Sequence, residues 1–269
     1  VKKLRAVPGG GEHGPHAVIL APDGKSLYVC AGNHTNLVKM EKSVVPRNWQ
    51  EDILHERMWD AGGHAVGKMA PGGWIARINP DGSEWELISV GYRNEFDIAF
   101  NADGELFTFD ADMEWDIGLP WYRPTRLNHV ISGGEYGWRW GTGKWPVYFV
   151  DSLPSTLDTG MGSPTGLEFG TRSHFPPRYR ESLFMGDWQN GRILYVEMSP
   201  RGSSYDCRYS VFLEGGALNV CDLTFGPDGA MYFITGGRGS QSGLYRVTYD
   251  GPNVAADHLL SDEQVRQAA

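Results

Sequence analysis

Two histidines stand immediately before the first alternating apolar run of the chain, in the stretch GGGEHGPHAVILAPDGKSLYV at residues 9–29. An imidazole titrates near neutral pH and accepts a proton at little cost, so His13 and His16 are candidates for acid–base chemistry. The alternative is a packing role, in which a histidine of a glycine-rich loop hydrogen-bonds to backbone. His16 begins the strand itself, and we expect a structural role for it.

Four acidic side chains alternate in the stretch DADMEWD, at Asp110, Asp112, Glu114 and Asp116. On a strand they would share one face, and so much negative charge is difficult to hold there without a cation. Hard oxygen ligands favour calcium over zinc, so these residues are candidate calcium ligands. The spacing is not that of an EF-hand, because Trp115 stands where that loop needs glycine. The alternative is a solvated acidic loop.

These residues lie on or beside a repeated hairpin with an Asp-Gly turn. The turn recurs in HAVILAPDGKSLYVCAG (16–32), FDIAFNADGELFTFD (96–110) and VCDLTFGPDGAMYFITGG (220–237), with an expanded copy at 165–187. A second hairpin is predicted after each copy, at 73–91, 125–138, 191–215 and 242–251. Four units of about four strands predict an all-β fold, a β-propeller of four-stranded antiparallel blades.

Composition supports the same fold and excludes several functions. The 269 residues include 36 glycines and 16 prolines, as expected of many short strands joined by tight turns. A net charge of -9 argues against a nucleic-acid partner. No apolar run approaches the roughly 18 residues of a membrane span, so we expect no membrane contact from this chain. Three cysteines without a Cys-x-x-Cys pair favour free thiols, although a Cys207–Cys221 disulfide is an alternative.

The predicted propeller covers residues 1–252, and residues 253–269 are predicted to form a linker and the start of a helical segment. In that tail Ser261 and Gln264 have the spacing of a capping box. The first residues lack the apolar stretch of a signal peptide and read like the end of a strand. We therefore expect the chain to be a piece of a longer protein.

Four motifs together resemble the soluble quinoprotein glucose/sorbosone dehydrogenases. They are EHGPHAVILAPDG, GYRNEFDIAFNADGELF, ISGGEYGW, and GRILYV followed by CDLTFGPDG. WDAGGHAVGKMAPGGW and PWYRPTRLNHV are similar to the planctomycete-type membrane-bound dehydrogenases, in which a haem-binding domain follows. The resemblance implies a six-bladed propeller that oxidises sugars with pyrroloquinoline quinone (PQQ) and calcium, so upstream blades are expected to be missing from the four units counted here.

The resemblance also implies roles for individual residues. His13 stands nine positions before the Pro of the first Pro-Asp-Gly turn, where the family has its general base. Arg93 and Asn94 match the Arg-Asn pair that lies against the quinone and the reacting oxygens, so both are candidate catalytic and cofactor-binding residues. The alternative for this pair is a polar ring that faces a hydrated channel. The family's calcium ligands include backbone carbonyls that fall here at Asp112 and Met113.

One part of the pattern departs from the family. The lysine and two arginines that hold the carboxylates of PQQ fall here at Gln189, Asn219 and Cys221. Gln189 and Asn219 are therefore the candidate cofactor-binding residues at this place, and all three groups are neutral. Because charge-assisted contacts to carboxylates are lost, we expect weak PQQ binding or none, and a different electron acceptor.

The sequence thus predicts a sugar or polyol oxidoreductase with His13 as general base, a cytochrome as electron acceptor and, by resemblance, a periplasmic location. The alternative is a non-catalytic propeller that serves as a binding or assembly module of a larger protein. A calcium-dependent hydrolase of the lactonase type ranks last, because only one acidic cluster is visible.

Overall fold

A computed structural model describes residues 3–47, 49, 65, 67–111, 123–139, 145, 146 and 148–251. The chain divides into two compact units, which are described separately below. The first comprises Val1–Ile98 and Gly104–Met161, and the second comprises Ala99–Asp103 and Gly162–Ala269. The predicted linker and helical segment at 253–269 lie outside the described residues.

The first sheet follows the hairpin repeat. Its strands in chain order are β1 (Pro15–Leu20), β2 (Leu27–Ala31), β3 (Lys42–Ser43), β4 (Gly73–Ile78) and β5 (Glu86–Tyr92). Their spatial order is β1-β2-β4-β5-β3, with antiparallel pairs except for β3, which is parallel to β5. Gly24 in the β1–β2 turn has φ +67°, a value that side chains with a Cβ rarely adopt. The Asp-Gly turn therefore sets this register.

The second sheet corrects one sequence prediction. Its strands are β6 (Asp97–Phe100), β7 (Leu106–Asp110), β8 (Thr125–Val130) and β9 (Leu157–Gly160), in that spatial order. The predicted hairpin over 125–138 is wrong, because the fourth strand comes about twenty residues later at β9. Residues 133–138 instead run beside β5, where the Tyr136 amide donates to the Val90 carbonyl at 3.0 Å. At Gly133 and Gly134 the chain turns away from β8 and runs along β5.

The third and fourth sheets lie in the second unit. The third contains β10 (Pro164–Phe169), β11 (Leu183–Asp187), β12 (Arg192–Arg201) and β13 (Ser204–Glu214) in sequential order, with the short helix α1 (Pro177–Arg180) between β10 and β11. The fourth contains β14 (Val220–Phe225), β15 (Met231–Thr235) and β16 (Gly243–Val247). Within the described residues it has three strands, so 242–251 supply one strand and not the predicted hairpin.

Alternating apolar residues of these strands form separate buried clusters in the two units. The cluster of the first sheet is centred on Trp74, Trp85 and Leu87, and that of the third and fourth sheets on Phe175, Phe184 and Phe225. Burial of such side chains contributes about 1.5–3 kcal/mol each. The three cysteines are free thiols, as expected, although only Cys30 is fully buried. Among the described residues no helix is long and apolar enough to cross a membrane.

Candidate functional site

His13 lies in the loop that enters β1 and is only 3% exposed. Its Nδ1 lies 2.7 Å from the Oδ1 of Asn33, which follows β2. An amide oxygen only accepts, so Nδ1–H donates to it and Nε2 carries the lone pair. The imidazole also packs against the ring of His34, with centroids 4.4 Å apart and the planes tilted by 33°. These contacts hold the ring in the tautomer that a general base using Nε2 requires.

A second histidine, His16, holds the side chain of Asn94. The Nε2 of His16 lies 2.7 Å from the Oδ1 of Asn94, so this nitrogen donates and the amide NH2 of Asn94 remains as the donor end. The ring of His16 also packs on Phe96, with centroids 4.7 Å apart. Burial lowers the pKa of His16, and the hydrogen bond to Asn94 offsets this only in part. His16 is thus a neutral structural histidine, but the residue that it positions is a site candidate.

The loop after β2 brings His13 close to Arg93 and Asn94. The backbone amide of Asn33 donates to the carbonyl of Arg93 at 2.8 Å, while its side chain accepts from His13. A Cβ at Gly32 would lie 2.8 Å from the Oδ1 of Asn94 and 3.0 Å from the Cβ of His13. The absence of a side chain at Gly32 therefore leaves room for both His13 and Asn94 beside it. The Arg93 side chain is buried.

Asp110, the last residue of β7, fixes the backbone of this pair. Its carboxylate accepts from the amides of Asn94 at 2.8 Å and Arg93 at 3.2 Å. The side chain of Arg126, the register partner of Asp110 on β8, donates to the other carboxylate oxygen at 2.9 Å from Nη2 and 3.1 Å from Nε. Arg126 also donates to the carbonyl of Tyr136 at 2.8 Å. The buried ion pair is therefore hydrogen-bonded at both ends.

Glu95 is a buried carboxyl group beside this ion pair. It is 0% exposed, and neither carboxyl oxygen has a hydrogen-bond partner among the described residues. Its carboxyl group packs against Gly73, where no Cβ would fit. Burial and, to a smaller degree, the negative charge of Asp110 raise the pKa of Glu95 well above its ordinary value. Glu95 is therefore protonated over a wider pH range than an exposed glutamate.

The acidic string is described only at its first member. Asp110 accepts the backbone amides and the guanidinium named above, whereas Asp112, Glu114 and Asp116 lie outside the described residues. In the described part of the chain no three histidine, cysteine or acidic side chains are grouped so as to hold a metal ion. The calcium site stays a prediction, and Asp110 has a second role that the alternation did not indicate.

The predicted cofactor-binding residues of the second unit surround Trp188. The Nδ2 of Asn219 donates to the carbonyl of Trp188 at 2.8 Å, and Gln189 is exposed in the following turn. Asp187 accepts from Nε of Arg192 at 2.8 Å and from the amide of Ser163 at 2.9 Å.

These positions do not fit a group that carries three carboxylates. The Asn219 amide is neutral and donates one N–H to backbone, and burial followed by the charge of Asp222 raises the pKa of the Cys221 thiol, which keeps it neutral. The nearby cation Arg192 is compensated by Asp187. Arg238 lies over the Trp188 ring, 5.6 Å from its centroid, and is one cation where three charges would need partners. The described residues of this region therefore do not fit PQQ.

Sequence reasoning missed the residues that position the candidates. Asn33 lies 20 residues from His13 in the sequence, and Arg126 lies 16 residues from Asp110. Glu95 belongs to no repeated pattern that would mark it. The one sequence feature that could have indicated such a partner is an aspartate at the end of a buried strand. A buried strand that ends in Asp must place a partner for that carboxylate on its neighbour, and the register identifies Arg126.

Comparison with known proteins shows similarity at the level of structure. No family model and no curated protein sequence matches the chain. A protein described as an oxidoreductase (glucose dehydrogenase) from Thermus thermophilus superposes with a TM-score of 0.62 at 19% identity, over 90% of this chain and 68% of that one. The PQQ-bound aldose sugar dehydrogenase of Streptomyces coelicolor gives a TM-score of 0.58 at 17% identity, over 90% and 64%.

The apo aldose sugar dehydrogenase of Escherichia coli gives a TM-score of 0.55 at 17% identity, over 91% of this chain and 86% of that one. This chain thus spans about two thirds of the length of the first two structures. At these identities the likeness shows the fold and not the activity. The predicted fold is confirmed: the chain has an all-β, β-propeller fold, and the structural neighbours named here are described as glucose or aldose sugar dehydrogenases.

Proposed function

We propose that this chain belongs to a sugar or polyol oxidoreductase in which His13 is the general base. The observation that carries the proposal is the orientation of His13, whose Nδ1–H donates to Asn33, so that Nε2 is the ring nitrogen that can act as the base. Solved structures of the same fold are dehydrogenases of glucose and aldose sugars. This supports a sugar hydroxyl as the group that the base meets.

The chemistry assigned to the described residues is proton transfer and charge stabilisation. Oxidation of a secondary alcohol removes a proton from oxygen and a hydride from carbon, and the bond between them becomes a carbonyl. His13 Nε2 takes the proton, and the NH2 group of Asn94 donates to the oxygen as negative charge develops there. The hydride passes to a two-electron acceptor of the quinone or dye class. A cytochrome as the next acceptor and an extracytoplasmic location belong to the same proposal.

Dye-linked oxidation tests this proposal directly. The chain is assayed with a panel of aldoses and polyols and a two-electron dye, with and without added PQQ and calcium. The proposal expects turnover of at least one substrate and a loss of about 10²–10⁴-fold in kcat for His13→Gln, the usual contribution of a general base. The control is His174→Gln, which changes an exposed histidine of the second unit and should keep the wild-type rate.

Two results would contradict the proposal. His13→Gln with the wild-type rate would remove His13 as the base. A folded chain that oxidises no sugar or polyol with any acceptor would favour the alternative, a non-catalytic binding module.

A further inference from the structure

Two chain segments occupy the outer edge of β5 one after the other. Lys42 and Ser43 of β3 pair in parallel with Glu86 and Leu87, and the turn after β8 continues along the same edge. In that turn the amide of Gly133 donates to the carbonyl of Ile88 at 2.8 Å. The two segments meet beside Val44, whose carbonyl would lie 3.2 Å from a Cβ at Gly133. A cavity opens at this junction, entirely within the first unit.

The cavity has the size and the lining of a small-molecule site. Its volume is about 550 Å³, inside the roughly 300–1,000 Å³ range of ligand pockets. Its apolar and aromatic wall is formed by Val45, Trp49, Ile131, Trp145, Phe149 and Leu153. Three polar side chains, Ser132, Glu135 and Asp151, complete the wall. Among the residues that the structure describes, neither lysine nor arginine lines it.

Trp145 is held in place from outside the cavity. The guanidinium of Arg139 lies over its ring, 3.9 Å from the centroid, and Arg139 is itself 1% exposed. Nη1 of Arg139 donates to Glu135 at 3.1 Å, so the charge of that lining carboxylate is compensated. Phe149 packs against the same tryptophan with ring centroids 5.3 Å apart. The aromatic wall is thus preorganised before any ligand arrives.

The remaining polar groups are available to a ligand. Ser132 and Asp151 are both exposed and both line the cavity. A carboxylate accepts from hydroxyl groups, and a serine hydroxyl both donates and accepts. Flat aromatic surface beside such groups suits a ligand with an apolar face and a rim of hydroxyls.

We propose that this cavity is a binding site for a neutral carbohydrate, separate from the candidate catalytic residues around His13. A sugar ring offers its C–H face to the aromatic wall and its hydroxyls to Asp151 and Ser132. An anionic sugar is disfavoured, because the described lining has carboxylates and no cation to receive it. The proposal goes beyond the oxidation proposed above and does not depend on it.

Saturation-transfer NMR and tryptophan fluorescence titrations of the whole chain test the site, with glucose, xylose, cellobiose and maltose as neutral probes and glucuronate as the anionic one. At least one neutral probe should bind, and glucuronate should bind more weakly. Asp151→Asn should weaken the neutral probe by about three- to tenfold, because asparagine removes the charge and replaces one of the two accepting oxygens with an NH2 group. Tyr148→Ala is the matched control, since Tyr148 is 82% exposed and does not line the cavity.

His13→Gln separates this site from the catalytic one. Binding that persists in His13→Gln and falls in Asp151→Asn supports the cavity whether or not the chain oxidises sugars. Binding that is lost in His13→Gln and unchanged in Asp151→Asn places the sugar at His13 alone and overturns the proposal. Absence of binding by every neutral probe, or tighter binding of glucuronate, also overturns it.

Discussion

Two strand ends in this molecule carry the same aspartate–arginine pair. Asp110 ends β7 and faces Arg126 in the register, and Asp187 ends β11 and faces Arg192. Each carboxylate accepts backbone amides from the segment that enters the first strand of its sheet, Arg93–Asn94 in one case and Ser163 in the other. The aspartate–arginine pair is therefore a recurring structural feature of the fold. Its effect on the site depends on which residues donate their backbone amides to the aspartate.

The other two sheets show when the device is absent. At the same place, the end of the second strand, they have Ala31 opposite Trp74 and Thr235 opposite Gly243. When the second strand of a sheet ends in aspartate, its register partner is arginine. When the strand ends in another residue, the register partner is apolar or small. A buried carboxylate needs a partner with charge and directional donors, which explains why the two residues occur together.

The largest effect is expected for Asp110→Asn. The change leaves Arg126, with a side chain 11% exposed, without its counter-charge, and a buried charge that loses its partner costs about 3–5 kcal/mol. An asparagine can offer its oxygen either to the backbone amides or to Arg126, but not to both. Urea unfolding should show this loss, and a midpoint equal to that of wild type would show that the pair is not buried in solution.

A smaller loss, about 2–3 kcal/mol, is expected for Asp187→Asn. Arg192 is 19% exposed, so water compensates its charge better than that of Arg126. Only Asp110→Asn should also lower any sugar oxidation per folded molecule, because Asp187 holds no candidate catalytic residue. If the unfolding free energy fell more in Asp187→Asn than in Asp110→Asn, the proposed difference between the two pairs would be wrong.

Glu95→Gln should sharpen the comparison through pH. The folded-state pKa of Glu95 is raised, so its contribution to stability is full below the unfolded-state pKa and is lost as pH rises through the folded-state value. Glutamine is neutral at every pH and avoids this loss. Denaturant unfolding between pH 4 and 9 should therefore show a stability advantage of the variant that grows with pH. A constant difference would mean that Glu95 titrates as an exposed carboxylate.

The smallest effect is expected for Asn33→Ala. It removes the acceptor of the His13 Nδ1–H but leaves the hydrogen bond from the backbone amide of residue 33 to the Arg93 carbonyl, so stability should fall by only about 1 kcal/mol. Under the proposed function, kcat should fall more than KM rises, because the tautomer of the base is released. A rise in KM with kcat unchanged would assign Asn33 a role in binding alone.

The sequence predicted local features better than distant partners. The turns at Asp23-Gly24, Asp103-Gly104 and Asp228-Gly229 form as expected, since glycine with positive φ is a local requirement. The strand β9 escaped prediction, because a loop of more than 25 residues separates it from β8. The partners of His13 and Asn94 were not predicted for the same reason, because they are set by contacts between distant segments. For Asp110, its place at the end of a buried strand indicates only that a partner is needed, and the strand register identifies Arg126.

Hydrogen–deuterium exchange gives the most direct test of the two-pair account, since it needs no assumption about activity. Amide exchange is compared for wild type, Asp110→Asn and Asp187→Asn under conditions in which all three are folded. The account predicts faster exchange at Arg93 and Asn94 in Asp110→Asn with Ser163 unchanged, and the reverse pattern in Asp187→Asn. Unchanged exchange at Arg93 and Asn94 in Asp110→Asn would contradict it.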